Sequence, residues 1–228
     1  MSNKPYKGFE PKWVLTPAPA DSYRSIFRWG DPNFFKYPKE SLYTLMKETF
    51  KMTDDDFKAY SDDIGFDPVD LSDHPVQLAP GHIEALKKIV GEQNVSTTDY
   101  DRLSVAYGFT AYDILRLRHK RVDSVPDVVL YPETTGQVEQ IVAYSTEHHI
   151  PLYVYGGGSS VTRGVEPVKG GISLDMRRNF NKVISFNEID QTITVQAGMS
   201  GPDLEKTLQN APELFGAKRQ YTCGHFPQ

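Results

Sequence analysis

The densest chemical signal in the sequence is Tyr155-Gly156-Gly157-Gly158-Ser159-Ser160-Val161-Thr162-Arg163-Gly164. Three adjacent glycines leave a stretch of backbone without side chains. Glycine takes positive φ at little cost and lets backbone N–H groups approach a ligand closely. Successive N–H groups pointing inward form a nest for an anion. Ser159 and Ser160 add hydroxyl donors. The chemistry this implies is a cradle for phosphate or pyrophosphate. A P-loop would need Gly-Lys-Ser/Thr, which is missing. A Rossmann fingerprint would need a helix directly after the glycines. Here Val165-Glu166-Pro167-Val168-Lys169-Gly170-Gly171 follows, which does not hold a regular helix. A surface turn between two strands remains the plain alternative.

The elements around this loop are legible from pattern. Pro126-Asp127-Val128-Val129-Leu130-Tyr131-Pro132 is a β-rich run between prolines. Thr134 and Gln137 have the spacing of a capping box. Val138, Ile141, Val142 and Ser145 then predict one buried helical face. Residues 150–155 form a second β-rich run that leads straight into the glycines. Strand, helix and strand predict a βαβ unit with a parallel pair. Residues 171–175 predict another strand. Residues 183–187 and 192–196 predict a hairpin, and Ser200 with Asp203 caps a further helix. The first hundred residues read as short helices between Pro- and Asp-rich loops. Leu42, Leu45, Met46 and Phe50 are expected on one helical face, Thr53 and Asp56 resemble a capping box, and residues 81–90 end at Gly91 as a plausible C-cap. The fold class is therefore α+β, with helices leading.

Taken together in this order, Pro126 to Pro132, Val154 to Ser160, Gly171-Ile172-Ser173-Leu174-Asp175-Met176 and Val195-Gln196-Ala197-Gly198 resemble the FAD-binding domain of the vanillyl-alcohol oxidase/p-cresol methylhydroxylase superfamily. Within it, the chain is most similar to the alkyldihydroxyacetonephosphate synthase subfamily. That narrower likeness rests on Arg28-Trp29-Gly30, on Asp101-Arg102 with Ala106-Tyr107-Gly108 and the following Asp113 to Arg118, and on Cys223-Gly224-His225-Phe226-Pro227. The resemblance implies a mainly helical region over residues 1–103. An incomplete two-subdomain FAD-binding domain of the p-cresol methylhydroxylase type would cover 104–228.

By the same resemblance, Val154, Tyr155, Gly156, Gly157, Gly158, Ser159 and Ser160 bind the FAD pyrophosphate, and Gln228 stands at the threshold of a second flavin segment. Relatives that attach FAD covalently often carry a His in or beside this loop. Ser159 and Ser160 stand here instead, so a non-covalent flavin is expected. The family's catalytic histidine cluster, tyrosine and phosphate-binding arginine would lie beyond Gln228, so the chain looks like a fragment that is inactive alone. The implied activity of the parent is exchange of an acyl chain for a fatty alcohol in ether-lipid synthesis. The competing readings are an FAD-dependent D-2-hydroxy acid dehydrogenase or oxidase and a truncated, non-catalytic module. The partners implied are a small-molecule substrate (a lipid or a 2-hydroxy acid), with a homodimer and peripheral membrane contact left open.

Composition narrows the classes. The 228 residues carry a net charge of −5, which argues against a non-specific nucleic-acid binder. The single cysteine, Cys223, excludes an internal disulfide and fits a reducing, cytoplasmic setting. No run approaches the ~20 apolar residues of a membrane span. Other polar groups have plainer readings. Arg116, Arg118, Lys120 and Arg121 are expected on a solvated helix face near its C-terminus. His148-His149 is expected at a helix C-terminus, Asp54-Asp55-Asp56 at a helix N-terminus, and Cys223 as a small buried residue. His225 is expected near the flavin segment or in a structural role.

Overall fold

The structure is a computed structural model that describes residues 18–26, 40–58 and 65–224. Two compact units are present: Met1–Val69 with Ile114–Arg121, and Asp70–Asp113 with Val122–Gln228.

The smaller unit contains α1 (Tyr23–Ile26), α2 (Glu40–Phe50) and α3 (Asp54–Lys58). The capping box at α3 forms: Thr53 N and Oγ1 donate to Asp56, and Asp56 N donates back to Thr53 Oγ1. The acidic run accordingly occupies the first turn of α3. The expected apolar face of α2 does not bury. Leu42, Leu45 and Phe50 are exposed, and Tyr43 is the buried residue, its ring against Phe57 and its hydroxyl donating to Asp54. Short helices of this kind depend on such local bonds, because they bury little apolar area.

The larger unit carries the remaining elements. These are α4 (Pro80–Val90), β1 (Val95–Ser96), α5 (Asp99–Ser104), the start of α6 (Ala111–Arg118), β2 (Val128–Leu130), α7 (Thr135–Glu147), β3 (Leu152–Tyr155) and β4 (Ile172–Asp175). The hairpin β5 (Val183–Asn187) and β6 (Thr192–Val195) follows, then α8 (Gly201–Gln209) and α9 (Ala211–Phe215). Four strands form one sheet in the order β1-β2-β4-β3, and β5 and β6 form a separate antiparallel pair. Here one expectation is corrected. β2 and β3 do not pair with each other; β4 lies between them, parallel to both. The unit is still strand, helix, strand, but its crossover leaves a gap that a later strand fills. Nothing local in β2 or β4 encodes this, since both are buried at every position.

The core sits between this sheet and the helices α4 and α7. Leu86 and Val90 pack with Val128, Leu130, Ile141, Ile172, Leu174 and Met176. Along α7, Ile141 and Ser145 are buried as expected, whereas Val142 is exposed. The helix starts where the sequence places it: Gln137 N donates to Thr134 Oγ1, and Glu133 N donates to Gln137. Gly91 ends α4 at φ +89°, with its N–H bonded to Lys87 O. Ser200 caps α8 through Asp203 N.

Two buried polar groups tie loops to this sheet. The Asp127 carboxylate accepts from Gln77 N at 2.6 Å and Gly171 N at 2.7 Å. Arg102 donates from Nε to Pro126 O and from Nη2 to His74 O. Asp101-Arg102, read above as a family signature, thus contributes at least one structural clamp. Among the described residues, no helix is long and apolar enough to cross a membrane.

Candidate functional site

β2, β4 and β3 run parallel, so their carboxyl ends lie along one edge of the sheet. Open α/β sheets place ligands outside that edge. Three segments leave from it: Tyr131 after β2, Met176-Arg177-Arg178 after β4, and the glycine loop after β3.

The loop is held at both ends and along its underside. Met176 N donates to Tyr155 O at 3.0 Å, extending the β3–β4 ladder to its base. Tyr155 is almost fully buried and points beneath the loop. Gly158 has φ +72°, and a Cβ there would lie 2.2 Å from the Tyr155 hydroxyl oxygen. Only glycine satisfies both demands. A Cβ at Gly108 would lie 1.9 Å from Ser160 O, so Ala106-Tyr107-Gly108 passes directly against the loop. The Tyr155 hydroxyl also reaches Tyr107 O at 3.4 Å. Ala197 O approaches the Gly156 position, and Gly198 N donates to Phe180 O, which brings the Val195 to Gly198 motif alongside. On the far side, Arg163 forms a two-bond pair with the buried Glu166 carboxylate, and Gly164 N donates to Ser160 Oγ.

With the loop so fixed, the backbone N–H groups of residues 156–162 donate to no acceptor among the described residues. A run of free amides at the carboxyl edge of a parallel sheet is suited to an anion. Gly156 and Ser160 are half-buried, Gly157 and Ser159 are exposed, and Gly158 is buried. Val154, on the edge strand, is exposed.

The surroundings bias the local charge. Asp175, buried at the end of β4, pairs with Arg177 through two bonds, Nε to Oδ1 at 2.9 Å and Nη2 to Oδ2 at 2.6 Å. The Arg177 guanidinium lies over the Tyr155 ring at 4.6 Å from its centroid. Burial works against the Arg177 charge, but the Asp175 carboxylate more than compensates, and its pKa is raised. Burial above all pushes the Tyr155 phenol up to about 12. Arg178 lies over Tyr131, whose phenol burial also drives upward.

Val154 and Tyr155 end β3, and Gly156 to Ser160 lie in the loop that leaves this edge. Gln228 and His225 lie outside the described residues, as does Arg28-Trp29-Gly30. The basic run is corrected in one respect: Arg116 is buried, while Arg118 and Lys120 are exposed. His148 is the C-cap residue of α7, as its place after Glu147 suggests. Cys223 is half-buried rather than buried. Its N and Sγ both donate to Glu205, and burial first, then Glu205, raises its thiol pKa. Arg177 was not singled out from sequence, and Asp175 entered only as part of the Gly171 to Met176 motif. Their only signal was position, at and just after the end of a strand parallel to the one that carries the loop.

Residues 126–224 match the family described as FAD binding domain. Over 156 residues, 67% of this chain and 24% of the relative, the sequence is 28% identical to alkyldihydroxyacetonephosphate synthase of Dictyostelium discoideum. It is also 28% identical over 136 residues, 59% of this chain and 23% of the relative, to the mitochondrial cytochrome D-lactate dehydrogenase 1 of Saccharomyces cerevisiae. A solved alkyldihydroxyacetonephosphate synthase superposes at TM-score 0.56 and 30% identity, covering 59% of this chain and 27% of that one. The chain spans about a quarter of the length of the curated relatives it matches. The expected FAD-binding domain is therefore present over residues 126–224, and the cofactor is FAD. The geometry fits that group: the N–H groups of residues 156–162 have no acceptor among the described residues, and a Cβ at Gly158 has no room.

Proposed function

We propose that this chain is the FAD-binding part of a flavoenzyme resembling alkyldihydroxyacetonephosphate synthase. In this reading, Val154, Tyr155, Gly156, Gly157, Gly158, Ser159 and Ser160 hold the pyrophosphate. The single observation that carries it is the run of N–H groups at 156–162 without an acceptor among the described residues. Backbone amides donate to the phosphate oxygens, and Ser159 and Ser160 offer hydroxyls. Tyr155 supports the loop from below. Ser159 and Ser160 offer no imidazole for attachment, so the flavin is bound non-covalently. The flavin supplies an electrophilic, redox-active ring, and this part of the protein binds and orients it. The domain would extend upstream of the matched segment to residue 104, since Gly108 packs on the loop.

The proposed activity of the parent is replacement of an acyl chain by a fatty alcohol on a dihydroxyacetone phosphate backbone. The similarity to alkyldihydroxyacetonephosphate synthases in both sequence and structure supports it. A second reading, oxidation of a D-2-hydroxy acid, draws on the similarity to D-lactate dehydrogenase. The test has two stages. FAD is titrated into the purified 228-residue chain while flavin fluorescence is followed; saturable, stoichiometric quenching is expected. Its absence would favour a non-catalytic module. The parent is then given acyl-dihydroxyacetone phosphate and a fatty alcohol, or anaerobic D-lactate. Ether formation with the flavin left oxidised supports the first reading, and bleaching by D-lactate supports the second.

A further inference from the structure

Beneath the glycine loop, three side chains are linked in series. Asp175, nearly buried at the end of β4, grips Arg177 with two hydrogen bonds. Arg177 also receives a third restraint, since its own backbone N donates to Asp175 Oδ1 at 2.9 Å. The guanidinium so held lies on the face of Tyr155. Tyr155 in turn sits where a Gly158 side chain would be, with its hydroxyl toward Tyr107 O. A guanidinium fixed bidentately keeps its plane and its place on a ring, whereas a lysine ammonium does neither. A cation over a tyrosine face is attracted by the negative face of the ring. The loop amides themselves have no acceptors among the described residues, so their geometry depends on what lies under them.

We propose that Arg177 is a positioning residue for the phosphate cradle: clamped by Asp175, it holds the Tyr155 ring beneath Gly158 and so pre-orders the loop amides. It acts through Tyr155 and does not contact the phosphate. The inference rests on the reading that FAD pyrophosphate is bound at Gly156 to Ser160, but the ordering of the loop is measurable without FAD.

The test uses the whole chain with Arg177→Met, Arg177→Lys and Asp175→Asn. Backbone ¹⁵N order parameters of Gly156, Gly157 and Gly158 are recorded first, without FAD. In the native chain they should lie near the rigid value of about 0.85, and in all three variants they should fall toward about 0.6. The FAD dissociation constant should rise about tenfold in Arg177→Met, a change of about 1.4 kcal/mol. Asp175→Asn keeps shape and volume, and it serves if the arginine variants unfold. Unchanged order parameters in folded variants would overturn the inference. So would native FAD affinity in Arg177→Lys, because charge alone would then suffice. If the native chain binds no FAD while the variants still loosen the loop, the proposed function fails and the positioning role stands.

Discussion

At the scale of single residues, Gly158 is the position with least freedom among the three adjacent glycines of the loop. Its φ of +72° and the 2.2 Å approach of the Tyr155 hydroxyl both exclude a side chain. Left-handed backbone costs a non-glycine residue roughly 1–2 kcal/mol before any clash. Gly158→Ala should therefore weaken FAD binding about tenfold or more; an unchanged dissociation constant by fluorescence titration would contradict the site. Glu205 offers a second, independent test. It accepts from Cys223 N first, then from Cys223 Sγ and Thr222 Oγ1, and its pKa is held down to about 2. Its ordinary value is about 4.3. The folded pKa is the lower one, so the stabilisation is complete above that ordinary value and is lost as pH falls toward 2. An acid titration of the Cys223 amide resonance should show a midpoint near 2, and Glu205→Gln should abolish that step. Which residues would form the loop was readable, because three glycines beside serines signal exposed amides. That Tyr155 lies under them, and Arg177 on Tyr155, was not. Those contacts depend on the parallel register of β3 on β4, which no local pattern states.

At the scale of elements, what is local was legible and what is paired at a distance was not. The Thr53, Thr134 and Ser200 caps each use a partner three residues away, and all three form. The helix limits follow from them. β1, two residues long, escaped notice because its pairing to β2 rather than its composition makes it a strand. The place of β4 between β2 and β3 escaped for the same reason. Burial of Arg102 and Arg116 also ran against composition, since charged residues are seldom buried unless partnered. Asp127 illustrates how such polar groups stabilise elements from a distance. It satisfies the N–H groups of Gln77 and Gly171, which are otherwise orphaned at the start of the sheet. Leaving buried donors unpaired costs about 1–3 kcal/mol each. Gly171 N is the buried one of the two, so Asp127→Ala should lower stability by about 1–3 kcal/mol on that basis, seen as a lower urea midpoint; Asp127→Asn should lose less, since its carbonyl still accepts.

At the scale of the whole molecule, the acidic balance and the position of the cradle agree with a protein that meets phosphate through backbone dipoles rather than through a basic surface. A ligand that binds only the folded state stabilises it by mass action, about 2.7 kcal/mol at a hundredfold excess over its dissociation constant. For a chain of this length each kcal/mol moves Tm by about 2–4 °C. Saturating FAD should thus raise the unfolding temperature by roughly 5–10 °C, and the Gly158→Ala chain should show a smaller shift at the same FAD concentration. A thermal melt followed by far-ultraviolet circular dichroism with and without FAD checks both.

The insertion of β4 between two earlier strands has a consequence for the order of events on the ribosome. Until Ile172–Asp175 has emerged, β2 and β3 have no neighbour to bridge them, and both present bare peptide edges. Exposed edges of this kind recruit other strands. The nascent chain therefore passes through an interval, from about Ser160 to Arg177, in which the glycine loop already exists as sequence but β4 and the Asp175–Arg177 pair do not. The same late strand that closes the sheet also delivers Asp175 and Arg177. In the proposed reading, sheet closure and support of the glycine loop arrive together, and a chaperone that shields the β2 and β3 edges during synthesis would be guarding the proposed cofactor site as well.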